Sequence, residues 1–168
     1  MSKAFTREDD SADTTVPVRQ WPKVPPGAKN YLTAAGAQSL RKELNQLLEQ
    51  ERPRLASTAD DDGRRQLQAV DQRIAHLQQS LDTAEIVEAP PEPRTHVRFG
   101  ATVRVREKQG DEVSYRIVGV DEADVDRDWI SWCSPLARAL LNAELGKRVR
   151  FRVPAGEQEL EILNIRYD

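Results

Sequence analysis

Two hydrophobic periods govern the chain, and the change from one to the other is abrupt. From Leu40 to Leu55, and again from Leu67 to Ala84, apolar residues return every three or four positions. In the second run the seam reads Leu67, Val70, Ile74, Leu77, Leu81 and Ala84, with almost everything between them polar. Such spacing is that of a narrow helical stripe facing one partner helix. It predicts two helices. The first has Thr33 as N-cap and an apolar side of Leu40, Leu44, Leu47, Leu48 and Leu55. The second runs from about Gly63 to Ile86. Pro53 lies inside the first, where its missing N–H predicts a bend. The Asp60-Asp61-Asp62-Gly63 link is too short for anything but an antiparallel hairpin, with Asp62 or Asp61 as candidate cap of the second helix.

After Glu88-Ala89-Pro90-Pro91-Glu92-Pro93, which no helix survives, the period becomes two. Ala101–Arg106 and Val113–Val118 alternate apolar with polar, and Lys108-Gln109-Gly110-Asp111 is the turn between them. Trp129-Ile130-Ser131-Trp132 reads as a third strand, its two tryptophans on opposite faces. Ser134-Pro135 opens a helix as N-cap and first residue, Leu136, Leu140 and Leu141 form its buried side, and Gly146 ends it. Val149–Val153 and Glu159–Ile165 are two more strands, joined through a turn at Val153-Pro154-Ala155-Gly156. The fold class expected is α+β: an N-terminal antiparallel coiled-coil hairpin, then an antiparallel sheet with one helix. The expected divisions are a flexible proline-rich tail over 1–30, a hairpin over 31–88, a linker over 89–97 and a second domain over 98–168.

Composition narrows the partners. Aromatic residues are 5% of the 168 and charged residues 32%, which suits long solvated helices rather than one large core. A net charge of −3 argues against bulk electrostatic binding of nucleic acid. One cysteine, Cys133, excludes a disulfide framework within the chain. The first residues lack the apolar core of a secretion signal, and no apolar run approaches the roughly 20 residues of a membrane span. A cytoplasmic protein without membrane contact is expected. His76 and His96 have no partners at metal-ligand spacing, and no metal site is expected in the free protein.

The motifs of the second half are more specific than its periodicity. Arg98-Phe99-Gly100-Ala101, Tyr115-Arg116-Ile117-Val118-Gly119, Ile130-Ser131-Trp132-Cys133-Ser134-Pro135-Leu136-Ala137-Arg138-Ala139-Leu140-Leu141 and Val153-Pro154-Ala155-Gly156-Glu157 resemble the C-terminal domain of the Gre transcript cleavage factors of bacterial RNA polymerase. Leu44-Asn45 through Glu51-Arg52-Pro53, and the Ile86-Val87 exit, resemble the helices of the GreB-type members. The resemblance spans residues 31–168.

It implies an FKBP-like C-terminal domain that docks at the rim of the polymerase secondary channel, and a hairpin that enters the channel. The docking residues it implies are Ser131, Cys133, Ser134, Pro135, Leu136 and Arg138. In cleaving relatives, acidic residues at the tip help hold a second magnesium ion, whose preference for oxygen ligands requires carboxylates. Here the candidate acidic tip is Asp60, Asp61 and Asp62, flanked by the basic Arg52, Arg54, Arg64 and Arg65. The only cofactor implied is magnesium shared with the polymerase. The chain departs from the cleaving pattern in two ways. The tip lacks an aspartate followed three residues later by glutamate and asparagine, and the hairpin is short by roughly two heptads. At 1.5 Å per residue the tip retreats by about 10 Å. Cys133 also stands where many GreB-type members carry an aspartate.

These features imply a monomeric accessory factor, not itself an enzyme, that modulates elongation and meets nucleic acid only through the polymerase complex. The alternatives are a true cleavage stimulator and, from another class, an FKBP-like peptidyl-prolyl isomerase. An isomerase needs a deep aromatic pocket, built here from Phe99, Tyr115, Trp129, Trp132, Phe151 and Tyr167 if at all. A plain coiled-coil dimerisation module has no use for the docking motif.

Overall fold

The computed structural model describes residues 20–168; the expectation for the tail before residue 20 lies outside them. Strand β1 (Asn30–Leu32) leads into helix α1 (Ala34–Gln46). Thr33 caps α1 as expected, accepting from the Gly36 N–H at 2.9 Å. A widened π-turn over Leu47–Glu51 separates α1 from α2 (Arg52–Ala56). This replaces the simple bend expected at Pro53. In the wide turn the Arg52 N–H reaches back to the Leu47 carbonyl, and Pro53, which has no N–H, follows in the first turn of α2. The extra residue also settles the seam. From Leu47 a regular heptad returns at position 54. The inserted residue moves the seam to Leu55, which is 5% exposed. Leu48 is displaced from the seam where the spacing placed it, and is 40% exposed.

Helix α3 (Asp61–Thr83) runs back antiparallel to α1 and α2. Arg73 bonds Glu43 through both carboxylate oxygens, at 2.6 and 2.8 Å, and Arg52 bonds Asp71 at 2.7 Å. Ile74 and Leu77 are buried on the predicted seam. The helix stops at Thr83, three residues before the expected end. Ala84–Ile86 is instead strand β2, paired in parallel with β1. The root of the helical half is thus closed by a two-stranded ribbon over a cluster of Leu32, Ala37, Leu40 and Leu77.

The second half is a five-stranded sheet of order β5-β4-β3-β7-β6. Its strands are β3 (Ala101–Glu107), β4 (Glu112–Val118), β5 (Trp129–Ser131), β6 (Arg148–Val153) and β7 (Gly156–Tyr167). The sheet is not wholly antiparallel: β5 pairs parallel with β4, because a loop of ten residues brings the chain back level with Arg116, beside the last three residues of β4. Strand β7 contains a bulge. Arg104 faces Asn164 and Val105 faces Ile162, which leaves Leu163 unpaired. The extra residue restores the inward phase, so Ile165 and Tyr167 pack on the same core as Leu160 and Ile162.

Helix α4 (Pro135–Leu140) covers the core with Ala137 and Leu140. It ends at Leu140, not at Gly146. Asn142 takes the left-handed conformation at φ 67, and Gly146, at φ 81, belongs to the turn before β6. Trp129 and Trp132 do not form opposite faces of one strand, since only Trp129 lies in β5; both are half-buried. Trp129 sits between the guanidinium groups of Arg116 and Arg127, while Trp132 meets Tyr31 of β1 edge-on at 5.3 Å. No described helix is long and apolar enough to cross a membrane.

The halves are joined by the contacts of Tyr31 with Phe99 and Trp132 and by polar groups. Glu122, in a short turn after β4, accepts the N–H of Thr33 and of Gly119, each at 2.9 Å, and the Thr33 hydroxyl. Gly36 and Gly119 make this approach possible. A Cβ on Gly36 would stand 1.9 Å from a Glu122 carboxylate oxygen, and one on Gly119 would stand 2.4 Å from the Tyr31 carbonyl.

Candidate functional site

At the far end of the helical half the chain reverses through Ser57–Asp60. The Asp60 carboxylate caps α3, accepting the Gly63 N–H at 2.6 Å. Asp60 therefore performs the capping role expected of Asp61 or Asp62, because it is the residue left in extended conformation just before the helix. Asp61 and Asp62 fall in the first turn, where the helix dipole favours negative charge. Asp61 pairs with Arg64 at 3.4 Å, and Asp62 accepts from the Gln66 amide at 2.6 Å. Gly63 is buried against Thr58, whose methyl lies 2.5 Å from where a Cβ would stand. The reversal is tight because position 63 has no side chain.

The three carboxylates are exposed and each has its own local partner. They do not converge as a donor set. No described group of three or more His, Cys, Asp or Glu is arranged to hold a metal ion. Of the nearby arginines only Arg64 pairs with a tip aspartate. Arg52 binds Asp71, Arg54 binds Glu51 at 2.7 Å, and Arg65 is exposed.

The other candidate region is built on the sheet half of the molecule, between β5 and α4. The Trp132 N–H bonds the Val118 carbonyl at 3.0 Å, which ties the loop to β4. The Ser131 hydroxyl accepts the Cys133 N–H at 3.2 Å, and the Ser134 N–H returns to the Ser131 carbonyl at 2.9 Å. Ser134 caps α4 through the Ala137 N–H at 3.1 Å, with Pro135 at the first helical position. Leu136 packs partly on the sheet core, while Pro135 and Arg138 face solvent. Cys133 is a free, half-buried thiol. Ser131, Cys133, Ser134, Pro135, Leu136 and Arg138 thus lie in one continuous turn. The tip lies at the opposite end of the helices, and the structure does not bring the two sets together.

Sequence reasoning passed over Asp121 and Glu122, the acids that connect the halves. Glu122 is separated by 89 positions from the threonine it grips. Its one local signal is Gly119 three residues earlier, whose N–H it accepts.

Residues 92–167 match the family described as "Transcription elongation factor, GreA/GreB, C-term". The chain is 39% identical to transcription elongation factor GreB of Neisseria meningitidis serogroup B, over 83% of its own length and 94% of that protein's. The chain belongs to the GreA/GreB family. It is also 40% identical to transcription elongation factor GreA of Alkalilimnicola ehrlichii, over 83% of this chain and 99% of that one. The crystal structure of the Gre homologue Gfh1 of Thermus thermophilus covers 83% of this chain and 99% of its own at 26% identity. Its TM-score of 0.39 is too low for a shared overall arrangement to be read from it. Within a Gre chain, the turn at Ser131–Arg138 lies inside the family match, and the aspartate tip lies outside it.

Proposed function

We propose that this Gre-family chain binds bacterial RNA polymerase through its sheet half and modulates elongation without stimulating transcript cleavage. In this reading residues 98–168 are an FKBP-like docking domain, residues 89–97 a linker and residues 31–88 an antiparallel coiled-coil hairpin that enters the secondary channel. The protein acts as a cytoplasmic monomer and meets RNA only inside the polymerase complex. The turn from Ser131 to Arg138 is the docking surface. Its backbone is tied by hydrogen bonds within the turn and to Val118 of β4, while Pro135 and Arg138 face outward.

The observation that carries the non-cleaving reading is the separate commitment of Asp60, Asp61 and Asp62 to Gly63, Arg64 and Gln66. A magnesium ion held at about 2.1 Å by one or two carboxylates needs their oxygens turned toward a common point. Length points the same way. The alignment with the Neisseria factor runs over 154 positions but takes in only 83% of the 168 residues, so the relative has about fifteen residues that this chain lacks. A deficit of that size supports the reading of a hairpin shorter by about two heptads. The isomerase reading loses its pocket, because Phe99, Tyr115, Phe151 and Tyr167 are packed on the sheet core.

The test uses backtracked elongation complexes. The chain should bind them and change pausing, without releasing short 3′ RNA fragments. Replacing Asp60, Asp61 and Asp62 together by asparagine should leave binding intact and alter only the pausing effect. Fragment release by the unaltered chain would overturn the non-cleaving reading. Undiminished binding by a folded Ser134→Ala, Pro135→Ala variant would show that the docking surface lies elsewhere.

A further inference from the structure

The turn Val120–Glu122 sends two adjacent carboxylates into the helical half. Glu122 takes the start of α1, as described above. Asp121 takes the C-terminal third of α3, near the root. Its Oδ1 accepts from His76 Nε2 at 2.6 Å, and its Oδ2 accepts from the Ser80 hydroxyl at 2.5 Å. The Asp121 side chain is only 6% exposed, so both bonds are shielded from competing water.

His76 has a second neighbour. The Trp21 indole stacks on its ring, with centroids 5.3 Å apart and planes inclined by 25°. The same indole lies 4.3 Å from the guanidinium of Arg73, which Glu43 of α1 holds through two bonds. The segment before β1 therefore crosses α3 at the residue with which α3 grips the sheet. Asn30 continues the path, donating to the Ser80 carbonyl at 2.9 Å. An imidazole makes this bond to Asp121 only in one orientation of its ring, and a stacked indole opposes rotation out of it.

We infer that Trp21 is a positioning residue: by stacking on His76 it holds the imidazole on Asp121, so that the N-terminal segment sets the angle at which the helical half leaves the sheet. The docking loop and the tip lie at opposite ends of this joint. A small change of angle at the root is amplified at the tip, because the lever is nearly the length of α3, 23 residues at about 1.5 Å each. The joint belongs to the free chain, and its test does not depend on polymerase binding.

The test is a distance distribution between spin labels on Gln68→Cys in α3 and Arg152→Cys in β6, in a Cys133→Ser background, measured by pulsed electron paramagnetic resonance. The otherwise unaltered chain should give one narrow distribution. Trp21→Ala should broaden it about twofold or more, as a two-state joint does when a contact is lost. Trp21→Phe, which keeps a stacking ring, should restore the narrow form. His76→Leu should broaden it as Trp21→Ala does, and the double variant no further, because the two act through one contact. A Trp21→Ala distribution as narrow as that of the unaltered chain overturns the proposal, as does additive broadening in the double variant. If His76→Leu loses helical circular dichroism, the Trp21→Ala and Trp21→Phe pair decides alone.

Discussion

The sheet half and the helical half are held together by different means. In the sheet, nine buried residues from Val97 to Ile162 form one cluster, and aromatic side chains surround it. In the helical half, four residues form the cluster, and all of them sit at the root beside the β1–β2 ribbon. Further out the only large apolar side chains buried are those of Ile74 and Leu55, and exposed ion pairs such as Arg52–Asp71 line the arms. Such pairs contribute at most about 1 kcal/mol each. The helical half is therefore firm where it meets the sheet and weak where it ends. The Ser131–Arg138 turn, proposed as the docking surface, rests on the strong half. The tip, where carboxylates need only be exposed, rests on the weak one.

The largest effect that probes this contrast is expected from Ile117→Ala, at the fully buried centre of the sheet core. It should cost about 2–5 kcal/mol in denaturant unfolding. Amide exchange should quicken across β3 and β4 more than in α3. Equal quickening in α3 would mean that the halves share one cooperative unit and would break the comparison. Gly36→Ala attacks the joint. Its new methyl displaces Glu122 and the three bonds that carboxylate accepts, at a cost of about 1–3 kcal/mol. The loss should appear as exchange in α1 with the sheet unchanged. At the tip, Asp60→Ala should cost about 1 kcal/mol by removing the cap of α3, while Asp60→Asn should cost only a few tenths. An equal loss for both would place the role of Asp60 in its charge.

The smallest effect belongs to the sheet alone. Burial pushes the Tyr167 phenol above its ordinary value of 10.0, against the weaker opposing pull of the Arg98 N–H. A raised value in the folded state means that this stability is present below pH 10 and is lost as pH rises through the folded value. Tyr167→Phe should flatten that alkaline limb in a thermal titration, and should leave the exchange of α3 amides unchanged.

Local features were legible in the sequence and distant ones were not. Thr33 and Ser134 were recognisable as caps because a cap needs only its next three residues. Ile74 and Leu77 were recognisable because a heptad repeats. The choice of Asp60 over its two neighbours was hidden, since any of three adjacent aspartates satisfies the same rule. Leu48 was misplaced because helical periodicity assumes a regular turn, and the π-turn breaks it. The parallel pairing of β5 depends on a ten-residue loop, and the bond of His76 to Asp121 spans 45 positions. At the candidate site, the cap and first turn of α4 at Ser134-Pro135 were predictable. What that turn touches is chemistry that only the partner supplies.

The π-turn in the first arm and the bulge in β7 carry a consequence for inheritance. Loss of one codon inside a helix or strand normally rotates every later residue off its face, and such lesions are purged. Here each element already holds one residue too many, at Leu47–Glu51 and at Leu163. Deleting Gln50 would return the arm to a regular helix with Leu55 still on the seam, and deleting Leu163 would return β7 to strict alternation with Ile165 still inward. At these two places a one-codon deletion should be tolerated better than one a few codons away, which the melting temperatures of the two pairs of deletion variants would show.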